Sequence, residues 1–97
     1  QSERESELDF IAFSDLGLAY RKLKKPVDAI AAYRQALNIK PHDVNTLYTL
    51  QYLYRGQGRY EDAYAAVREI LNLQPEHSGA RSLVPYLQRN VSGKNGG

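Results

Sequence analysis

Apolar residues recur along this chain at steps of three and four positions, and short polar breaks separate the runs. Residues spaced in this way lie on one face of a helix, so each run predicts an amphipathic helix. The breaks carry Gly, Pro and Asp, which end helices and start new ones. The pattern therefore predicts an all-α chain. Its apolar positions are Phe13, Leu16, Gly17 and Tyr20, then Ala29, Ile30, Tyr33 and Leu37, and later Leu47, Leu50 and Tyr54, then Ala63, Tyr64, Val67 and Leu71.

The same pattern occurs twice, because the chain aligns with itself without a gap at a shift of 34 residues. Residues 10–43 form the first unit and residues 44–77 form the second. Such a period is the sequence signature of a repeat architecture. The identical pairs are Leu16/Leu50, Tyr20/Tyr54, Arg21/Arg55, Asp28/Asp62, Ala29/Ala63, Ala31/Ala65, Ala32/Ala66, Arg34/Arg68, Leu37/Leu71, Asn38/Asn72 and Pro41/Pro75.

With these motifs in place, the chain resembles the tetratricopeptide repeat family. The first unit carries Phe13-x-x-Leu16-Gly17-x-x-Tyr20, Ala29-x-x-x-Tyr33 and Pro41, and the second carries Leu47, Leu50, Tyr54, the run Gly58 to Ala63, and Pro75. The resemblance implies an α-solenoid of antiparallel helix pairs. We expect a polar N-terminal arm over 1–9, repeats over 10–43 and 44–77, a capping helix over 78–90 and a flexible tail over 91–97.

Local signals place the helix ends and mark departures from the family pattern. Pro26 suits a first helical position, and Asp43 and Ser78 are the predicted N-caps. Gln51 replaces a small residue and Val67 replaces an aromatic one, which predicts wider spacing or a rotated helix in the second unit. Pro85 predicts a kink or a break near Val84.

The glycines of the stretch Arg55 to Ala63 do not form a phosphate-binding loop. A Walker-type loop needs a Lys followed by Ser or Thr after the second glycine, and a strand before the first. Neither is present. Gly56 and Gly58 are instead expected to end one helix and turn the chain into the next.

Arrays of this kind generally expose a groove built from the first helix of each unit, where a peptide or partner protein would lie. The repeat period places Leu18, Tyr52 and Tyr86 in one ladder, with Tyr48 one turn before Tyr52. Aromatic surfaces suit a peptide that inserts hydrophobic anchors. The alternative is that these tyrosines only fill space between helices.

A second ladder holds one arginine per unit in the last turn of its first helix: Arg21, Arg55 and Arg89, with Lys22 beside the first. Guanidinium groups favour ligands that carry carboxylates or phosphates. The alternative is a favourable interaction with the helix dipole alone. The predicted binding residues are Ser14, Leu18, Arg21, Lys22, Tyr48, Thr49, Tyr52, Arg55, Tyr86 and Arg89.

Chaperone tails are not expected as ligands. Some tetratricopeptide domains hold them through a clamp of lysines, asparagines and an arginine. The corresponding positions are Ser14, Leu18, Thr49, Gly79 and Leu83, and none supplies the needed side chain. A structural role remains the alternative function, in which the chain builds a homo-oligomer or belongs to a longer array.

Residue types needed for catalysis are not grouped. His42 and His77 lack the spacing of metal ligands, and Asp15 near Ser14 has no histidine close in register. We expect no enzyme activity and no cofactor or metal. A net charge of +2 with one basic cluster over residues 21–25 also disfavours nucleic acid.

The sequence gives little information on cellular location. No apolar run approaches the roughly 20 residues of a membrane span, so we expect a soluble chain. Cysteine is absent, which leaves the redox compartment open. The missing initiator Met suggests a piece of a longer protein. The cytoplasm is favoured and the periplasm stays compatible.

Overall fold

A computed structural model describes residues 2–96, with side chains for residues 2–91. Five helices and no strand are present across this part of the chain, which confirms the predicted all-α class. Short turns join consecutive helices. The helices are α1 (Glu3–Lys22), α2 (Pro26–Ile39), α3 (Val44–Gly56), α4 (Tyr60–Leu73) and α5 (Ser78–Gly96).

The folded chain divides into two compact units with the boundary between Thr46 and Leu47, and these are called unit 1 and unit 2 from here on. In unit 1, α1 packs against α2. In unit 2, α4 packs against α5. The buried apolar side chains are Ala29, Ile30, Ala32, Tyr33 and Ala36 in unit 1, and Leu47, Leu50, Leu53, Tyr54, Ala63, Ala66, Val67, Ile70, Ala80 and Leu87 in unit 2.

The contact between α1 and α2 depends on the absence of a side chain at Gly17. A Cβ atom at Gly17 would lie 2.8 to 2.9 Å from three ring atoms of Tyr33. The aromatic ring therefore lies directly against the backbone of α1. Tyr33 is buried as a result, and the family's pairing of a small residue with an aromatic residue has a steric explanation.

Unit 2 has different side chains at the equivalent positions. Gln51 takes the place of Gly17, and Val67 takes the place of Tyr33. Gln51 is 1% exposed and Val67 is fully buried. A long side chain on the first helix thus accompanies a short one on the second, which preserves the summed volume better than either change alone. The wider spacing predicted for this unit stays a prediction.

Three helices have side-chain N-caps, and one of these caps differs from the sequence prediction. Asp43 accepts a hydrogen bond from the Thr46 amide at 2.9 Å, so this prediction is confirmed. The prediction for Ser78 is wrong, because Ser78 is already the first residue of α5. His77 caps this helix instead, and its Nδ1 atom accepts from the Ala80 amide at 3.0 Å.

The helical segments at both ends are longer than the sequence indicates. α1 begins at Glu3, inside the predicted arm, because the Ser2 hydroxyl accepts a hydrogen bond from the Glu5 amide. α5 continues through residue 96, because extending an existing helix costs little per residue. Gln1 and Gly97 lie outside the described residues. Pro85 lies within α5 and does not break it at Val84.

The turns that follow α1 and α3 have the same hydrogen bonds but different residues. The Lys25 amide donates to the Tyr20 carbonyl, and the Arg59 amide donates to the Tyr54 carbonyl, both at 2.9 Å. Each turn has one residue with positive φ, Lys24 at 60° and Gly58 at 72°. Lys24 therefore occupies a left-handed conformation that favours glycine.

Within residues 2–96, no helix is long and apolar enough to cross a membrane.

We expect Lys24→Gly to raise the free energy of unfolding by about 1 kcal/mol, because glycine adopts this conformation without steric cost. In a domain of this size, such a change raises Tm by about 4 to 8 °C. Thermal and urea unfolding followed by circular dichroism would measure it. The reverse change, Gly58→Lys, should lower stability by a similar amount. A destabilising Lys24→Gly would contradict the argument.

We expect Gly17→Ala to lower the free energy of unfolding by about 1 to 3 kcal/mol, because the added methyl group overlaps the Tyr33 ring. Gly56→Ala is the matched control, since a Cβ at Gly56 meets no atom within 4 Å apart from its chain neighbours and its own helix backbone. That control should leave stability unchanged or raise it by up to about 1 kcal/mol, because alanine favours a helix more than glycine does. If the two substitutions change the free energy of urea unfolding equally, overlap with the Tyr33 ring is not the cause of the effect at Gly17.

Candidate functional site

One face of α3 presents three of the predicted binding residues. Tyr48, Tyr52 and Arg55 follow one another at steps of four and three residues, so they lie on the same side of the helix. The other side carries Leu50 and Leu53, which are buried. Tyr52 is 55% exposed and Tyr48 is 37% exposed. Because the apolar side of α3 is buried, the side that carries Tyr48 and Tyr52 is exposed.

Arg55 lies between two aromatic rings at the end of α3. Its Cζ atom is 5.8 Å from the ring centre of Tyr52 and 5.6 Å from that of Tyr86 on α5. These distances fit cation–π interactions. The Nε atom is buried and has no hydrogen-bond partner. The guanidinium is therefore held in place by rings and keeps one donor unused.

Tyr60, the first residue of α4, contacts Tyr86. The two rings meet edge to face, with centres 6.2 Å apart and an interplanar angle of 76°. A hydrogen bond with the Tyr86 phenol, the charge of Tyr86 and burial raise the pKa of Tyr60, and the Arg55 charge acts in the opposite direction. Neutral Tyr60 is therefore favoured. Side chains from α3, α4 and α5 meet in this cluster, which we call the Arg55 cluster: Tyr52, Arg55, Tyr60 and Tyr86.

Tyr48 makes contacts of a more structural kind. Its ring lies 5.2 Å from the His77 ring, centre to centre, at an angle of 38°. Its hydroxyl oxygen would lie 2.8 Å from a Cβ at Gly79, so it packs closely on the start of α5. Tyr48 thus helps to hold α5 through His77 and Gly79. Its exposed edge still belongs to the same face as Tyr52.

Comparison with protein-family models identifies the family of this chain. Residues 10–43 and residues 44–77 each match a family model of the tetratricopeptide repeat, and together the matches cover more than half of the chain. The chain belongs to the tetratricopeptide repeat family. The repeats of this family form an α-solenoid of helix pairs and generally serve as protein–protein interaction modules. No curated protein sequence matches the chain.

The remaining predicted residues of this tetratricopeptide chain have fewer contacts. Thr49 on α3 is half-buried and Arg89 on α5 is exposed. The other four lie on α1 in unit 1: Ser14, Leu18, Arg21 and Lys22. Ser14 is half-buried and its hydroxyl has no partner, and Leu18 is 40% exposed. The ladders that would join these four with unit 2 stay predictions.

Two residues of the site were not assigned to it from the tetratricopeptide pattern. Neither Tyr60 nor His77 is among the predicted binding residues. Tyr60 and Tyr86 are not related by the 34-residue period, so periodicity gives no signal for their contact. For His77, the signal was its place just before a helix, where a side-chain acceptor is favoured.

Residues 2–96 contain no group of three or more His, Cys, Asp or Glu side chains that could hold a metal ion.

We expect Tyr86→Phe to lower the pKa of Tyr60 towards the ordinary value of 10.0, because it removes the hydrogen bond that favours the neutral phenol. The stabilising effect of this bond is present at neutral pH and is lost as pH rises through the folded-state pKa. A pH titration of the Tyr60 ¹³Cζ resonance would measure the shift. Tyr64→Phe is the control, because Tyr64 bonds to Gln88 instead. An unchanged Tyr60 titration in Tyr86→Phe would contradict the assignment.

Proposed function

We propose that this tetratricopeptide chain is a non-catalytic module that binds a peptide or partner protein at the Arg55 cluster, with Tyr48, Thr49 and Arg89 at its margins. The observation that carries the proposal is the guanidinium of Arg55, held between two rings with an unused Nε donor. The general role of the family in protein binding supports it.

The ligand is proposed to present an acidic group to Arg55. Arg55 is half-buried, and a carboxylate would form charge-assisted hydrogen bonds with the part of its guanidinium that faces solvent. Arg55 contacts the rings of Tyr52 and Tyr86. Two exposed arginines form salt bridges instead: Arg59 pairs with Asp62 at 2.8 Å, and Arg81 pairs with Glu76 at 3.2 Å.

Tyr52 is proposed to contribute apolar contact beside this charge. More than half of its surface is open, and the ring is already oriented by Arg55. An aromatic side chain with two torsions loses little entropy when it contacts a ligand. An extended or helical peptide with one apolar anchor and one acidic group, a few ångströms apart, fits this pair.

The repeat register extends the proposal to unit 1. Leu18 is the equivalent of Tyr52, and Arg21 is the equivalent of Arg55, with Lys22 and Ser14 on the same side of α1. Leu18, Arg21 and Lys22 are exposed. A longer ligand is proposed to continue onto these residues, since Leu18 and Arg21 offer an apolar side chain beside a guanidinium, as Tyr52 and Arg55 do. A carboxylate clamp for chaperone tails is not part of the proposal, and neither is nucleic acid.

A randomised peptide library displayed on phage and selected against the wild-type chain would test the proposal. We expect the selected peptides to share an acidic residue next to an apolar one. Arg55→Glu should weaken a selected peptide by about 10- to 100-fold, because it removes a charge-assisted bond and adds repulsion. Tyr52→Ala should weaken it by about 3- to 10-fold. Kd would be measured by isothermal titration, and helical content by circular dichroism.

The chain contains a matched control in another Arg and Tyr pair. Arg68 lies 5.8 Å from the ring centre of Tyr64 on α4. Arg68→Glu makes the same substitution on the exposed side of α4, away from the Arg55 cluster, so affinity should stay the same. The proposal is wrong if both site variants bind the selected peptides as the wild type does, or if Arg68→Glu loses affinity equally.

A further inference from the structure

An apolar stripe runs along α1 beside the surface that packs on α2, and Leu16 lies at the edge of the stripe nearest to α2. With 100° between successive helical residues, its members lie within about 80° of one another around the helix axis. Gly17, which contacts Tyr33, lies outside the stripe, about 100° from Leu16. Leu8 is 59% exposed, Leu16 is 43% exposed and Leu23 is 65% exposed. The stripe consists of Leu8, Ala12, Leu16, Ala19 and Leu23, all exposed.

The position of Leu16 differs in exposure between the two repeats. Leu50 is equivalent to Leu16 by the 34-residue period, yet it is only 1% exposed. Beside Leu16, α1 and α2 enclose an open recess of about 220 Å³, lined mainly by Phe13, Leu16, Tyr20, Ala31 and Ala32. Leu16 and Leu50 are thus the same residue at the same repeat position, and only Leu16 is exposed. Large exposed apolar surfaces of this kind are typical of interaction sites.

Charge is distributed unevenly along the same helix. Residues 3–9 contain three glutamates and one aspartate against a single arginine. The other end, residues 21–25, contains four basic residues and no acidic one. A helix with one acidic end and one basic end repels a parallel copy of itself and attracts an antiparallel copy. The charge pattern therefore favours one orientation of self-pairing.

We propose that two copies of this chain pair through the stripe, with their α1 helices antiparallel. The two-fold axis then lies near Leu16, at the centre of the stripe. Leu8 of one copy meets Leu23 of the other, and Ala12 meets Ala19. The alanines allow the helix backbones to approach closely between the leucine contacts. The acidic end of each α1 lies beside the basic end of the other.

This interface goes beyond the proposed peptide site, and its apolar stripe shares no residue with that site, although Arg21 and Lys22 also belong to the basic end of α1. The stripe belongs to unit 1, whereas the Arg55 cluster belongs to unit 2. A second copy is favoured as the occupant of the stripe, because an antiparallel copy centred near Leu16 matches leucine with leucine, alanine with alanine, and the acidic end of α1 with the basic end. A contact of this kind is isologous, so assembly stops at the dimer.

Sedimentation equilibrium between about 1 µM and about 1 mM would test the pairing. The expected mass rises from 11.0 kDa towards twice that value and no further. Leu16→Glu should weaken dimerisation by about 100-fold or more, because it buries two facing carboxylates. Ile11→Glu is the matched control: Ile11 is 45% exposed on the same helix but outside the stripe. It should change the dissociation constant by less than about 3-fold.

The sign of the salt dependence reports the orientation. Raising the salt concentration from about 0.01 M to 1 M shortens the screening length from about 30 Å to 3 Å. An antiparallel pair should weaken over this range, because its charges attract. A parallel pair would strengthen, since screening would relieve its repulsion, and that result would overturn the proposal.

The absence of native cysteine permits a direct test of the register. In the antiparallel pair, a mixture of Leu8→Cys and Leu23→Cys chains should form disulfide-linked heterodimers, and neither variant alone should crosslink. The two positions are about 22 Å apart along the helix, and a disulfide spans at most about 7 Å between Cα atoms. Efficient crosslinking of Leu8→Cys alone would overturn the proposal. So would a monomeric wild type at every concentration, or equal loss of the dimer in Leu16→Glu and Ile11→Glu.

Discussion

The contact of Tyr33 with the bare backbone at Gly17 determines how α1 is used in this chain. Because the ring lies against Gly17, this side of α1 must face α2. The direction of every other side chain on α1 then follows from the 100° rotation per residue. The apolar stripe around Leu16 and the side with Ser14 and Leu18 then lie on either side of this contact. One steric contact therefore separates the surface that packs on α2 from the proposed self-pairing surface and the proposed ligand surface of the same helix.

The second repeat solves the same packing problem with different side chains, and the solution has a cost. Gln51 stands at the position of Gly17 and is buried, but its Oε1 atom has no hydrogen-bond partner. An unsatisfied buried acceptor is unfavourable by about 1 to 3 kcal/mol. The two repeats thus share their helices, while the side chains at these positions differ in polarity and shape.

The sequence predicts features that depend on period and on local chemistry. The helix pairs, the Asp43 cap and the glycine turn at Gly58 all follow from spacing or from the preference of one residue type. Contacts between residues without a repeat relation were not predictable in this way. The meeting of Tyr60 with Tyr86 depends on where α4 and α5 pack, and the His77 cap depends on one rotamer and one tautomer. The sequence therefore indicated Tyr52, Arg55 and Tyr86 as candidate site residues, but not Tyr60 or the contacts that bring the four side chains together.

Arg55 contacts rings from two helices, since Tyr52 belongs to α3 and Tyr86 belongs to α5. A ligand that binds the free edge of this guanidinium would bind most tightly when both rings are in place. Binding and the docking of α5 are then thermodynamically linked, and each must favour the other by the same free energy. Helix α5 would then be part of the ligand site, and the affinity for the ligand would depend on how stably α5 is docked.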